Sequence, residues 1–128
     1  MIAFFSLLKF KFDVICISET WLCDNTKDLY CISNYNAYHC TRPSRGGGVS
    51  VYVSNKFSSR KLDVCVELQD VDSLFINVSH MSKSVILGCI YKPPRVNPSI
   101  FIDQVQNVLS YIVSGRVCDV MLCGDYNI

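Results

Sequence analysis

Two kinds of apolar pattern divide the chain. Leu62, Val64, Val66 and Leu68 alternate with Asp63, Cys65 and Glu67, the period-two signature of a sheet with one wet face, and this is the clearest strand by alternation. Val49-Ser50-Val51-Tyr52-Val53 follows the same rule after the turn Thr41-Arg42-Pro43-Ser44-Arg45-Gly46-Gly47-Gly48. Other runs are apolar nearly throughout: Asp13 to Ser18, Val85 to Tyr91 and Asp119 to Cys123. A strand that is apolar on both faces belongs inside a sheet, which puts Val85 to Tyr91 at the centre, with Leu74 to Val78 as its hairpin neighbour. Tyr30 to His39 shows little helical periodicity and reads as loop leading into strand. One segment has the helical period: Asn97 is an N-cap, Pro98 sits in the first turn, and Phe101, Val105, Val108, Leu109 and Ile112 share a face before Gly115. A single helix over Pro98 to Val113 follows. Strands, then a helix, then a strand define an α/β domain.

The opening Met1 to Leu8 is apolar but has no basic residue ahead of it and no small-residue cleavage site, and it is far shorter than the roughly 20 residues a bilayer requires. It reads as a core helix running into the first strand, and no membrane partner is expected. At 128 residues, half of them apolar, the chain has room for one domain. The formal charge of +1 offers no general attraction to nucleic acid, so any phosphate binding must be local. Eight cysteines raise the question of disulfides, but no Cys-x-x-Cys occurs, and Cys16, Cys89 and Cys123 lie inside apolar runs where a free thiol behaves as a small hydrophobe. Cys31, His39 and Cys40 lack zinc spacing. An intracellular, reducing setting fits this usage.

Chemistry enters at strand ends. Val14-Ile15-Cys16-Ile17 runs into Ser18-Glu19-Thr20, and Val120-Met121-Leu122-Cys123 into Gly124-Asp125-Tyr126-Asn127. Two buried strands of one layer would each deliver a carboxylate where α/β sheets gather their ligands. Glu19 suits a hard divalent cation, Asp125 a water to be aligned or deprotonated, and Asn127, two residues on in an extended segment, a water or phosphate oxygen. Tyr91, ending the central strand, offers its hydroxyl to a phosphate oxygen. The plain readings are a solvated Glu, an Asp-x-Asn turn and a tyrosine at the core's edge. Arg42 and Arg45 are placed to touch a phosphate backbone, although basic turn residues are mostly just solvated. His39 and His80 follow no strand-end carboxylate and read as structural.

Four motifs in order, Asp13-Val14-Ile15-Cys16-Ile17-Ser18-Glu19-Thr20-Trp21-Leu22, Gly46-Gly47-Gly48-Val49-Ser50-Val51-Tyr52-Val53, Ile90-Tyr91-Lys92-Pro93-Pro94 and Gly124-Asp125-Tyr126-Asn127-Ile128, closely resemble the endonuclease/exonuclease/phosphatase family. More narrowly, the chain resembles the apurinic-type endonuclease domain of non-LTR retrotransposons. That resemblance implies a four-layered α/β sandwich, two mixed β-sheets face to face with helices outside. It implies Mg²⁺-dependent hydrolysis of phosphodiester bonds in target DNA, nicking it to prime reverse transcription. Glu19 then matches the metal-binding glutamate, Tyr91 the active-site tyrosine, and Asp125 and Asn127 the pair beside the attacking water. The implied partners are the element's RNA and the reverse transcriptase of the parent polyprotein, and the implied compartment is the nucleus. Residues 1–128 would be a partial domain and an incomplete sandwich, lacking the family's first strand and its C-terminal part with an Asp-His pair. Loss of one such charge-stabilising group typically costs on the order of 10² to 10³ in rate, so the fragment is expected to be inactive by itself. The rival readings are a phosphatase or lipid phosphodiesterase of the same superfamily, and a non-catalytic remnant or phosphate-binding module.

Overall fold

The computed structural model describes residues 7–8, 11–43, 46–66 and 68–128. Its elements are β1 (Val14–Ser18), a 3₁₀ turn (Lys27–Leu29), β2 (Tyr35–Cys40), β3 (Val49–Ser54), β4 (Ser58–Lys61), β5 (Asp72–His80), β6 (Lys83–Tyr91), α1 (Pro98–Val113) and β7 (Asp119–Asp125). The strands form two sheets, one ordered β1-β3-β2 and the other β4-β5-β6-β7. All pairs are antiparallel except β6 with β7, whose parallel register needs the crossover that α1 supplies.

The sheets stack through the core their alternation predicts. Val49, Val51 and Val53 of β3 meet Leu74, Ile76 and Val78 of β5 and Leu87, Cys89 and Tyr91 of β6. The other face of the four-stranded sheet packs Phe75, Ile86 and Ile90 against Phe101, Val108 and Ile112 of α1. This is the α/β sandwich expected of the chain, with α1 outside the four-stranded sheet. Asn97 caps α1 as its sequence requires, its side chain accepting from the amides of Ser99 and Ile100.

Three expectations need revision. Residues 62–66 and 68 form no strand, although their alternation is the cleanest in the chain. Pairing with β5 ends at Lys61↔Ile76, and the amide of Leu62 makes a last bond to the carbonyl of Phe75. The chain then leaves the sheet and lays Leu62, Val64, Val66 and Leu68 over the helix-side core. Alternation reports one buried face, and packing satisfies it without a ladder. Secondly, β1 and β7 are not neighbours in one layer; each is an edge strand of a different sheet, and both are only partly buried. Thirdly, Arg42 is not merely solvated, because it pairs with buried Asp72. The opening helix falls mostly on residues 1–6, outside the described residues, as does Arg45.

Candidate active site

The C-terminal ends of β1, β6 and β7 and the N-terminal ends of β3 and β5 meet at one edge of the sandwich. The last rung of the four-stranded sheet is Asp72↔Tyr91↔Asp125. Directly paired residues share a face, and Tyr91 of this rung belongs to the core between the sheets.

Glu19 enters from the other sheet. It follows β1 in a left-handed conformation, φ 52, and Trp21 repeats it at φ 56. Such geometry is uncommon for non-glycine residues and persists where surroundings over-determine it. Here the amides of Thr20 and Trp21 donate to the carbonyls of Gly48 and Gly47, at 3.3 and 2.9 Å. The Gly46–Gly48 loop is itself held, since the amide of Gly48 donates to Asp72 Oδ2 at 2.8 Å and Arg42 Nε donates to Asp72 Oδ1 at 2.6 Å. Buried Asp72 is thus the bolt that fixes both the glycine loop and, through it, Glu19.

The Tyr91 hydroxyl donates to Glu19 Oε1 at 2.5 Å. That bond is the largest reason the phenol is pushed up to about 12, followed by burial and by the negative charges of Glu19 and Asp125; Arg42 acts the other way. Tyr91 stays protonated, and its single O–H goes to the glutamate rather than to open solvent. Two carboxylates carried on edge strands of separate sheets are therefore gathered around one phenol.

Asp125 and Asn127 do not continue as an extended pair. β7 ends at Asp125, Asn127 turns back with φ 43, and its amide N–H donates to Asp125 Oδ1 at 3.2 Å. The Asn127 side-chain nitrogen donates to the carbonyl of Lys92 at 2.9 Å. The residue's visible task is to anchor the tail to β6. Gly124 permits the turn: it has φ 137, and a Cβ there would overlap the carbonyl of Ile90.

Lys92 was assigned no role in sequence, and it is fully buried. Its ammonium donates to the carbonyls of Pro93 and Asn127, at 3.2 and 3.1 Å, and its own amide donates to Asp125 O at 2.9 Å. A buried cation must have partners; here these are carbonyls of the segment that carries the site. The signal available in sequence was a lysine continuing an apolar strand into two prolines.

An open pocket of about 340 Å³ is lined by Glu19, Arg42, Gly46, Gly47, Tyr91 and Arg95, with Pro93 and Pro94; Asp125 and Asn127 are not among its lining residues. Glu19 and Asp125 are exposed carboxylates, and Arg42 and Arg95 bring positive charge to the same mouth. Hard oxygen donors with room for water fit Mg²⁺, which binds through one or two carboxylates and keeps several waters. A larger cavity of about 650 Å³ at the far end of the three-stranded sheet is lined by no carboxylate.

No protein-family profile and no curated protein sequence matches the chain. Solved structures do. The catalytic domain of human Nocturnin with bound sulfate superposes with a TM-score of 0.59 at 16% identity, covering 91% of this chain and 51% of that one. D. rerio TDP2 complexed with a single-strand DNA product gives 0.58 at 18%, covering 91% and 48%. ANGEL2, a 2′,3′-cyclic phosphatase, in complex with adenosine-2′,3′-vanadate gives 0.57 at 18%, covering 90% and 40%. All three are members of the endonuclease/exonuclease/phosphatase superfamily, and the chain has the fold of that superfamily. It spans about half the length of the structures it matches.

Proposed function

We propose that this chain carries the glutamate, tyrosine and Asp-x-Asn portion of a divalent-metal-dependent phosphodiesterase acting on DNA. The more particular reading is the endonuclease domain of a non-LTR retrotransposon, working with element RNA and reverse transcriptase in a nuclear parent polyprotein. The observation that carries the general reading is the hydrogen bond from Tyr91 to Glu19 beside the Tyr91↔Asp125 rung. It joins, from separate sheets, a carboxylate, a phenol and a second carboxylate of the kinds that would serve phosphodiester hydrolysis, and so supports the reading. The single-strand DNA product bound by one structural neighbour and the cyclic phosphatase activity of another are phosphodiester chemistry on the same fold.

Glu19 would hold the cation, which when bound offsets the charge developing on the phosphate. Asp125 accepts the proton of an attacking water or aligns it in line, and Asn127, tied to Lys92, holds that aspartate's carboxylate through its own backbone amide. Tyr91 orients Glu19 in the free site, so a phosphate oxygen competes with the carboxylate for its O–H. Arg42 and Arg95 steer the anionic backbone into the pocket.

Plasmid nicking with and without Mg²⁺ tests the reaction, with Glu19→Ala and Asp125→Ala as controls. We expect metal and DNA binding with little or no turnover, the metal binding abolished by Glu19→Ala; robust nicking that Glu19→Ala abolishes would show the fragment to be active by itself. Nicking that is indifferent to both substitutions contradicts the proposal. A reverse-transcriptase reading frame downstream in the genome is expected by the retrotransposon reading, and its absence there would favour a phosphatase or lipid phosphodiesterase.

A further inference from the structure

Directly beneath the site rung lies a second cluster of a different chemical kind. Cys89 and Cys123 are register partners on β6 and β7, one same-face position before Tyr91 and Asp125. At about 3.3 Å per residue this places them roughly 7 Å below the phenol and carboxylate. Cys16 on β1 reaches them from the other sheet, and the three Sγ atoms all lie within 4.8 Å of one another. Cys89 is wholly excluded from solvent, whereas Cys16 and Cys123 are partly accessible. All three are free thiols.

One such cysteine is an ordinary small hydrophobe, and the surrounding residues Val51, Leu74 and Leu87 show what this core otherwise uses. Three thiols converging from three strands of two sheets are a donor set. Tetrahedral zinc with bonds of about 2.3 Å needs its sulfurs roughly 3.8 Å apart, so a small inward rotation of these side chains suffices. Sulfur ligands select soft cations and reject Mg²⁺. Among the described residues no fourth Cys, His, Asp or Glu joins the group. The site therefore suits three-coordinate Cu(I), or Zn²⁺ with a water reaching it past the accessible thiols.

We propose that Cys16, Cys89 and Cys123 form a site for one thiophilic cation, Zn²⁺ or Cu(I), that staples the two sheets together beneath the carboxylate rung. Cys123 Sγ donates to the carbonyl of Gly88 at 3.5 Å. On binding, each S–H bond is replaced by a sulfur–metal bond and its proton passes to buffer; no electron changes hands. The staple is independent of the phosphodiesterase reading, because it needs neither Glu19 nor Asp125.

The test titrates the reduced full chain with Cd²⁺ without oxygen and follows the ultraviolet thiolate-to-metal charge-transfer band. We expect saturation at one equivalent, a thermal midpoint that rises with occupancy, displacement by Cu(I) or by a large excess of Zn²⁺, and no displacement by Mg²⁺. X-ray absorption should count three sulfurs, with an added light-atom ligand for Zn²⁺ and none for Cu(I). Replacing exposed Cys23, Cys31 and Cys65 by Ser should leave the band intact, and Cys16→Ala with Cys123→Ala should abolish it. A folded chain that gives no band, or a band lost in the surface variant and kept in the core variant, overturns the proposal.

Discussion

Tyr91 is where a single side chain tells most about the site. Its phenol, raised to about 12 by the Glu19 carboxylate, should titrate well above the ordinary value of about 10. Difference titration against Tyr91→Phe isolates it from the other tyrosines. Glu19→Gln removes the carboxylate charge, and the titration should then fall toward the ordinary range; an unchanged value would mean that the bond to Glu19 is not its cause. Because the folded value is the higher one, this contact contributes stability fully present below about pH 10 and lost as pH rises through about 12. Lys92 makes a second residue-level prediction. Lys92→Met keeps the buried stem but leaves the carbonyls of Pro93 and Asn127 without their donor, which should cost about 1–3 kcal/mol in denaturant unfolding and speed amide exchange at 125–127. That Glu19, Tyr91 and Asp125 stand at strand ends was legible in sequence, because an apolar run announces where it stops. The tasks of Lys92 and Asp72 were not, since a buried ammonium and a buried carboxylate acquire meaning only from backbone brought in from distant segments.

At the scale of elements, Gly124 sets the end of β7. An added methyl would collide with the Ile90 carbonyl at φ 137, so Gly124→Ala should destabilise by ~3 kcal/mol or more, against about 1–2 kcal/mol for Gly115→Ala, which meets only open space at φ 68. Thermal or urea unfolding of the pair decides it; equal losses would mean that β7 can end without that close approach. Most elements were readable: α1 occupies the predicted Pro98–Val113, β3, β5, β6 and β7 contain the predicted runs, β1 begins one residue later than predicted, at Val14, and β6 is central in its sheet. The misreading at residues 62–66 and 68 shows the limit of pattern. Periodicity fixes which side of a segment is dry, but the ladder that makes it a strand depends on whether a partner edge is free, and β5 is already paired with β4 and β6.

At the scale of the molecule, two sheets and a helix converge on one edge, and each sheet contributes an open outer strand. Met121 on β7 is 59% accessible, and Ile100, Ile102, Tyr111 and Val113 expose apolar surface along α1. An unpaired edge beside apolar surface promotes association. Sedimentation should show concentration-dependent self-association that Met121→Lys reduces, and a strictly monomeric chain at high concentration would speak against it. Among the described residues no helix is long and apolar enough to cross a membrane. That the carboxylates would meet across two sheets, instead of along neighbouring strands of one, was not legible, because sheet membership is decided by pairings between residues far apart in sequence.

The central claim is that Glu19, held by Tyr91 beside Asp125, binds a hard divalent cation for work on a phosphodiester. Its most direct test is paramagnetic Mn²⁺ binding to the chain in the presence of a short DNA, compared with Glu19→Ala. The account predicts one Mn²⁺ site, displaced by Mg²⁺, that disappears in the variant. Mn²⁺ binding that survives Glu19→Ala unchanged, or none in the folded wild-type chain, contradicts it.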